Sequence, residues 1–158
     1  MGGQNLSTIL TIALACLLVV AAITDLKSRI ISNRLNLVIA ALAPLFWYAN
    51  GLTLWPGVIG QIGVALVVFA VFTAAFTLGF MGGGDVKLLT ALALWLPWEP
   101  MLFLIIMMSL LGGAVTIVTA IHHRIAHRPG SPEIPYGVAI ALAGLWVVGE
   151  PYINQFTG

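Results

Sequence analysis

The sequence predicts an all-α, polytopic membrane protein with six transmembrane helices, and composition and apolar periodicity both support this. Of the 158 residues, 61% are hydrophobic and 7% are charged, whereas soluble domains carry about 25% charged residues. Apolar runs lie at about 6 to 24, 35 to 50, 57 to 80, 86 to 97, 101 to 121 and 134 to 149. Spans of about 20 residues would use about 120 positions, so residues 1–158 are expected to form a single transmembrane domain.

Charge and cysteine content exclude several other classes of protein. The formal net charge of +1 is small and divided among short loops, which argues against a nucleic acid partner. The lone Cys16 excludes an internal disulfide framework and a cysteine-based zinc site. We therefore expect no metal and no cofactor, and the lipid bilayer as the surroundings.

The loops predict the orientation of the chain. Six spans place the linkers at 25 to 34, 81 to 85 and 122 to 133 on one side, and all six basic residues lie in or beside them: Lys27, Arg29, Arg34, Lys87, Arg124 and Arg128. Because short loops rich in Lys and Arg stay in the cytoplasm, both termini are expected outside. Aromatic residues mark the outer ends of the spans, where such rings favour the headgroup region: Trp47, Tyr48, Trp55, Trp95, Trp98, Trp146 and Tyr152.

The fourth apolar run is too short for a complete span. Val86 to Leu96 gives about 16 Å of helix, against a hydrocarbon core of about 30 Å. Either the bilayer thins there, or residues 81–85 enter the membrane as irregular chain, which is tolerated only beside protein or a water-filled cavity. The second alternative places a cavity next to Asp85.

Two of the five acidic residues stand at predicted helix ends on the cytoplasmic side. Asp25 ends the first span, and Asp85 follows three glycines. Two carboxylates at close range cannot both ionise easily, so they share a proton and supply one acid and one base. Water-mediated peptide hydrolysis needs this pair, because a base must deprotonate the water while an acid protonates the oxyanion or leaving amine.

Helix dipoles favour Asp85 as the base and Asp25 as the acid. Asp85 precedes a helix and faces its positive end, whereas Asp25 lies at the negative end of the first helix. The neighbouring Lys27, Arg29 and Lys87 could reverse that order. Gly82, Gly83 and Gly84 can adopt positive φ and allow another backbone to approach, as an active-site loop would require.

Three motifs carry a resemblance that covers almost the whole chain. They are Asp25-x-x-x-Arg29-x-Ile31-x-Asn33 after the first helix, Gly82-x-Gly84-Asp85-x-Lys87 after the third, and Ile134-Pro135-Tyr136-Gly137 before the last. In order and topological position they resemble the type IV prepilin leader peptidases, which are GxGD-type aspartyl intramembrane proteases.

This resemblance implies an activity, a substrate and a set of site residues. Asp25 and Asp85 would be the catalytic pair, with Gly82, Gly83 and Gly84 as the active-site loop. The family cleaves the basic leader of prepilin and pseudopilin precursors at the cytoplasmic face of the bacterial inner membrane. Residues expected to position the substrate are Arg29, Asn33, Lys87, Pro135, Tyr136 and Gly137.

Bifunctional members of the family also methylate the new N-terminus and carry an additional N-terminal cytoplasmic segment. This sequence starts at its first span and resembles the short members associated with tight-adherence (Flp) pili. We therefore expect a peptidase without methyltransferase activity. The sequence leaves open the individual substrate, its cleavage-site residues and the formation of a homo-oligomer.

Two other functions would use the same features. A small transporter coupled to protons or cations could use both aspartates, because ionisable groups beside a broken helix are typical of such proteins. A non-catalytic assembly subunit of a secretion machine would tolerate replacement of both aspartates.

Overall fold

The computed structural model describes residues 2–125 and 136–153, and within these ranges it contains six α-helices and no β-strand. The helices are α1 (Gly2–Ser28), α2 (Asn33–Ala49), α3 (Ile59–Thr77), α4 (Gly83–Ala93), α5 (Trp98–Ile125) and α6 (Tyr136–Ile153). An irregular helical turn, Leu54–Val58, precedes α3. The predicted all-α class is confirmed, and each helix coincides with one of the apolar runs.

Three helical segments are long and apolar enough to cross a membrane. They are Gly3–Ser28, Leu54–Thr77 and Trp98–Val118, and Tyr136–Glu150 is a shorter apolar helix. This pattern supports a multi-pass membrane protein. Six complete spans and outward-facing termini stay predictions.

Local chemistry fixes the turn between α1 and α2. Arg29 has a φ of 55°. This left-handed backbone conformation is incompatible with a right-handed helix, so α1 ends here. The side chain of Ser32 then caps α2 by accepting a hydrogen bond of 3.2 Å from the backbone N–H of Leu35. Residues 30 and 31 are left as a short connection between the two helices.

The fourth helix is enclosed by the other helices. It begins at Gly83, three residues before the predicted start, and packs against α2, α3 and α6. Leu88, Leu89 and Leu92 are completely buried in the core. Because protein surrounds this helix, its 11 residues need not match the thickness of the bilayer.

Two hydrogen bonds from tryptophan side chains join the end of α4 to α2. The indole N–H of Trp47 donates a hydrogen bond of 2.7 Å to the carbonyl of Leu94. Trp95 is 3% exposed and donates from its indole N–H to the carbonyl of Ile39 at 2.9 Å. The expectation that Trp95 lies among lipid headgroups is therefore wrong, because its only polar group is satisfied inside the helix bundle.

Candidate functional site

Asp25 and Asp85 line the same cavity, which has a volume of about 260 Å³. The cavity lies where the end of α1, the start of α4 and the start of α6 meet. Its other lining residues are Arg29, Ile30, Ile31, Gly82, Gly83, Gly84 and Tyr136. The structure thus brings together the two carboxylates, the glycine turn and two of the residues predicted to position the substrate.

The first turn of α6 holds Asp25. This residue is 5% exposed, and its Oδ2 accepts a hydrogen bond of 3.0 Å from the backbone N–H of Val138. The backbone N–H of Gly137 also interacts with this carboxylate, and the positively charged guanidinium of Arg29 attracts it. The free N–H groups at a helix start favour an anion, so α6 provides a binding site for the Asp25 carboxylate.

Gly137 is required for this contact because its Cα lies directly against Asp25. A Cβ at this position would stand 2.8 Å from Cγ of Asp25 and 2.6 Å from Cδ1 of Ile31. Real Cβ atoms do not approach so closely. Only glycine lets the start of α6 reach the carboxylate.

Asp85 lies in the first turn of α4 and is 8% exposed. Its Oδ2 accepts a hydrogen bond of 3.1 Å from the backbone N–H of Gly82, which places it as the acidic member of a capping arrangement. Asp85 also interacts electrostatically with Asp25 across the cavity. Backbone donors at the start of a helix thus contact each of the two carboxylates.

The similar surroundings of the two carboxylates revise the prediction of which one is the base and which one is the acid. The sequence predicted that only Asp85 lies at a helix N-terminus. In the structure Asp85 lies at the start of α4, and Asp25 contacts the start of α6. The argument from helix dipoles therefore no longer distinguishes the base from the acid. Each carboxylate instead receives a backbone hydrogen bond at the start of a helix.

The glycine turn serves close approach, as expected, but without positive φ. Gly82 has a φ of −79°, and the left-handed glycine of this region is Gly79, with a φ of 79° after α3. A Cβ on Gly84 would lie 3.3 Å from Cβ of Ile31 and 3.4 Å from its carbonyl oxygen. The absence of a side chain at Gly84 thus lets the connection between α1 and α2 pack against α4.

Ile31 is a site residue to which the sequence assigned no role. It is 5% exposed, lines the cavity, and packs against both Gly84 and Gly137. It therefore fills the space between the starts of the two helices that hold the carboxylates. Its signal in the sequence was its place in the motif after Asp25, but the motif did not show what it contacts.

Tyr136 forms another wall of the cavity and rests on α5. A Cβ on the buried Gly112 would lie 3.1 Å from Cε1 and 3.2 Å from Cδ1 of this ring. The absence of a side chain at Gly112 therefore lets the ring of Tyr136 pack directly against α5.

Two other residues predicted to position the substrate lie away from the cavity. Lys87 and Asn33 do not line the cavity, and Nζ of Lys87 donates to Oδ1 of Asn33 at 2.7 Å on the exposed surface. Pro135 lies outside the described residues. Among the side chains that the structure describes, no group of three or more His, Cys, Asp or Glu could hold a metal ion.

Comparison with known proteins is consistent with this site. The type IV leader peptidase family matches residues 12–117. The chain is 31% identical over 147 residues to a prepilin leader peptidase/N-methyltransferase of Aeromonas hydrophila, covering 89% of this chain and 48% of the relative. It is 29% identical over 148 residues to the protein of the same name from Burkholderia pseudomallei (strain 1026b), covering 87% and 45%.

The chain thus spans about half the length of the curated relatives it matches. No solved structure matches it significantly. The family match extends over more than half of the chain and includes both Asp25 and Asp85. This chain belongs to the type IV leader peptidase family.

Proposed function

We propose that this chain is a membrane-embedded aspartyl endopeptidase that removes the basic leader from type IV prepilin-like precursors. One observation carries the proposal: Asp25 and Asp85, 60 positions apart in the sequence, line one small cavity. Acidic residues are costly near membrane depth and are typically functional. Two of them at one cavity in a peptidase family support hydrolysis by a carboxylate pair.

The reaction uses water as the nucleophile. The ionised member of the pair takes a proton from water as the new oxygen–carbon bond forms at the scissile carbonyl, and the protonated member gives its proton to the carbonyl oxygen. The tetrahedral diol then collapses and its carbon–nitrogen bond breaks, and the carboxyl that took the proton from water delivers it to the leaving amine. As the carbonyl re-forms, the other carboxylate takes back a proton from the diol hydroxyl, so the pair ends the cycle with the single shared proton with which it began.

The walls of the cavity suit an extended peptide. A scissile carbonyl in a helix is shielded by its own hydrogen bond, so the substrate must unwind before it is attacked. The three glycines Gly82, Gly83 and Gly84 line the cavity, and backbone without side chains permits close approach of a second chain. The leader would therefore enter as extended chain beside this turn.

We further propose that the reaction takes place at the cytoplasmic face of the bacterial inner membrane. The basic residues Lys27, Arg29, Arg34 and Lys87 lie at the same predicted end of the spans as Asp25 and Asp85, and short loops rich in Lys and Arg remain cytoplasmic. A precursor with its leader in the cytoplasm would meet the carboxylates at this end.

Cleavage of a co-expressed prepilin in membranes tests the proposal. We expect the precursor to be shortened at the junction between leader and hydrophobic stem, with the new N-terminus identified by mass spectrometry. The same spectra test the prediction that methyl transfer is absent, because a methylated N-terminus carries one additional CH₂ group and is about 14 Da heavier. An intact precursor in the presence of folded protein would contradict the proposal.

The family matches give no support to the transporter alternative. Proteoliposomes provide the distinguishing measurement, since a transporter would show proton- or cation-dependent flux and leave the precursor intact.

A further inference from the structure

We propose that Asn36 is a positioning residue for Asp85, an inference that rests on the proposed function. The side chain of Asn36 lies in α2 and donates from Nδ2 to the backbone carbonyl of Gly84 at 3.2 Å. Gly84 immediately precedes Asp85. Asn36 itself stands within the second apolar run of the sequence.

The burial of Asn36 is poorly explained by stability. The residue is 5% exposed, and its Oδ1 is buried without a hydrogen-bond partner in the described part of the chain. Burying an amide is unfavourable unless its hydrogen bonds are made. A leucine of similar size at this position would bury apolar surface and leave no unpaired acceptor.

A functional role accounts for the half-satisfied amide. The donor group of Asn36 joins α2 to the first turn of α4, at the peptide unit that leads into Asp85. One helical turn away on each helix, Oδ1 of Asn33 accepts from Nζ of Lys87. Two polar contacts from α2 thus bracket Asp85, at Gly84 before it and at Lys87 after it.

The buried contact is the stronger constraint of the two. Asn33 and Lys87 are exposed, where water competes for their hydrogen bond, while Asn36 is buried and Gly84 half-buried, so that water competes less for theirs. Asn36 therefore sets where Asp85 stands relative to Asp25. Because α6 fixes Asp25 independently through Val138, the separation of the two carboxylates depends on both contacts.

Catalysis is sensitive to such placement, since a shift of about 1 Å can cost on the order of 100-fold in rate. Removing the Asn36 donor takes no atom away from the cavity lining, because Asn36 is not among the residues that line it. We therefore expect kcat to change far more than KM.

The test compares Asn36→Leu with the matched core variant Ile39→Val on the same helix, since Ile39 is fully buried and does not line the cavity. Purified proteins are assayed for leader cleavage, with kcat and KM measured separately, and for thermal unfolding. We expect Asn36→Leu to unfold no earlier than wild type, with kcat lowered about tenfold or more and KM within about twofold. Ile39→Val should lower the unfolding temperature and keep its kcat.

Two results would overturn the inference. A wild-type kcat in Asn36→Leu would show that the contact does not position Asp85. Unfolding of Asn36→Leu well below that of Ile39→Val would show that Asn36 is a structural residue. Cleavage by wild type and Ile39→Val keeps either result separate from a failure of the proposed peptidase activity, in which no variant would cleave.

Discussion

The backbone N–H of Val138 donates a hydrogen bond of 3.0 Å to Oδ2 of Asp25, although 113 positions separate the two residues. The last helix thus belongs to the site as much as the two helices that carry the carboxylates. Its first turn supplies backbone donors, and Gly137 supplies the space in which they reach Asp25.

Substituting Gly137 should impair the site more than an equivalent change elsewhere. In Gly137→Ala the new Cβ would stand 2.8 Å from Cγ of Asp25, so α6 or the carboxylate must move. Because a displacement of about 1 Å can cost on the order of 100-fold in rate, we expect leader cleavage to fall about 10- to 100-fold.

Gly113→Ala is the matched control for this change, because it also places alanine in a helix and its Cβ meets nothing within 4 Å. Both substitutions gain helix propensity of about 1 kcal/mol. Equal cleavage by the two variants would contradict a role for close approach at Gly137.

The glycine turn should show a graded response. A Cβ on Gly84 meets Ile31 at 3.3 to 3.5 Å, while a Cβ on Gly83 meets the ring of Phe76 at 3.5 to 4.0 Å. We therefore expect Gly84→Ala to lose more cleavage activity than Gly83→Ala in the same membrane assay. The reverse order would mean that Ile31 does not limit the packing of α4.

Relief of backbone strain should stabilise the turn after α1. Arg29 has a positive φ of 55°, which costs an L side chain about 1 to 2 kcal/mol. Arg29→Gly should raise the free energy of unfolding by about 1 kcal/mol, measured by thermal unfolding in detergent.

Lys27→Gly provides the contrast, because Lys27 is an exposed residue in the last turn of α1. Glycine inside a helix costs about 1 kcal/mol, so this variant should be less stable than wild type. Destabilisation of equal size in both variants would show that the conformation of Arg29 is unstrained.

The contact between Gly112 and Tyr136 should behave as a coupled pair. In Gly112→Ala the new Cβ lies 3.1 Å from the Tyr136 ring, so the ring must shift, and overpacking of this kind costs about 1 to 3 kcal/mol. Tyr136→Leu removes the ring and should abolish the effect of Gly112→Ala on unfolding temperature. Additive effects in the double variant would disprove the contact.

The sequence predicted the helices well because each long apolar run can satisfy its backbone only as a helix in lipid. It also identified Asp25, Asp85 and the glycine turn, since charged residues and consecutive glycines stand out in an apolar chain. A cavity lies next to Asp85 as expected, but the irregular chain predicted over 81–85 is wrong for residues 83–85, which form the first turn of α4.

The sequence could not predict the tertiary contacts across the site. Apolar periodicity shows that a sixth helix exists, but not that its first turn meets Asp25, because the hydrophobic effect that drives burial is non-directional. The same limitation concealed the position of Ile31 between Gly84 and Gly137. It also led to the wrong placement of Trp95, since the local sequence does not distinguish a tryptophan that faces the headgroups from one that faces the core.

Replacement of each carboxylate by its isosteric amide tests the central claim most directly. Wild type, Asp25→Asn and Asp85→Asn are expressed with a prepilin, their folding is checked by thermal unfolding, and the fraction of shortened precursor is measured by mass spectrometry. Loss of acid–base catalysis costs about 10²- to 10⁴-fold, so we expect both folded variants to leave the precursor uncleaved. Full processing by either variant would contradict catalysis by this pair.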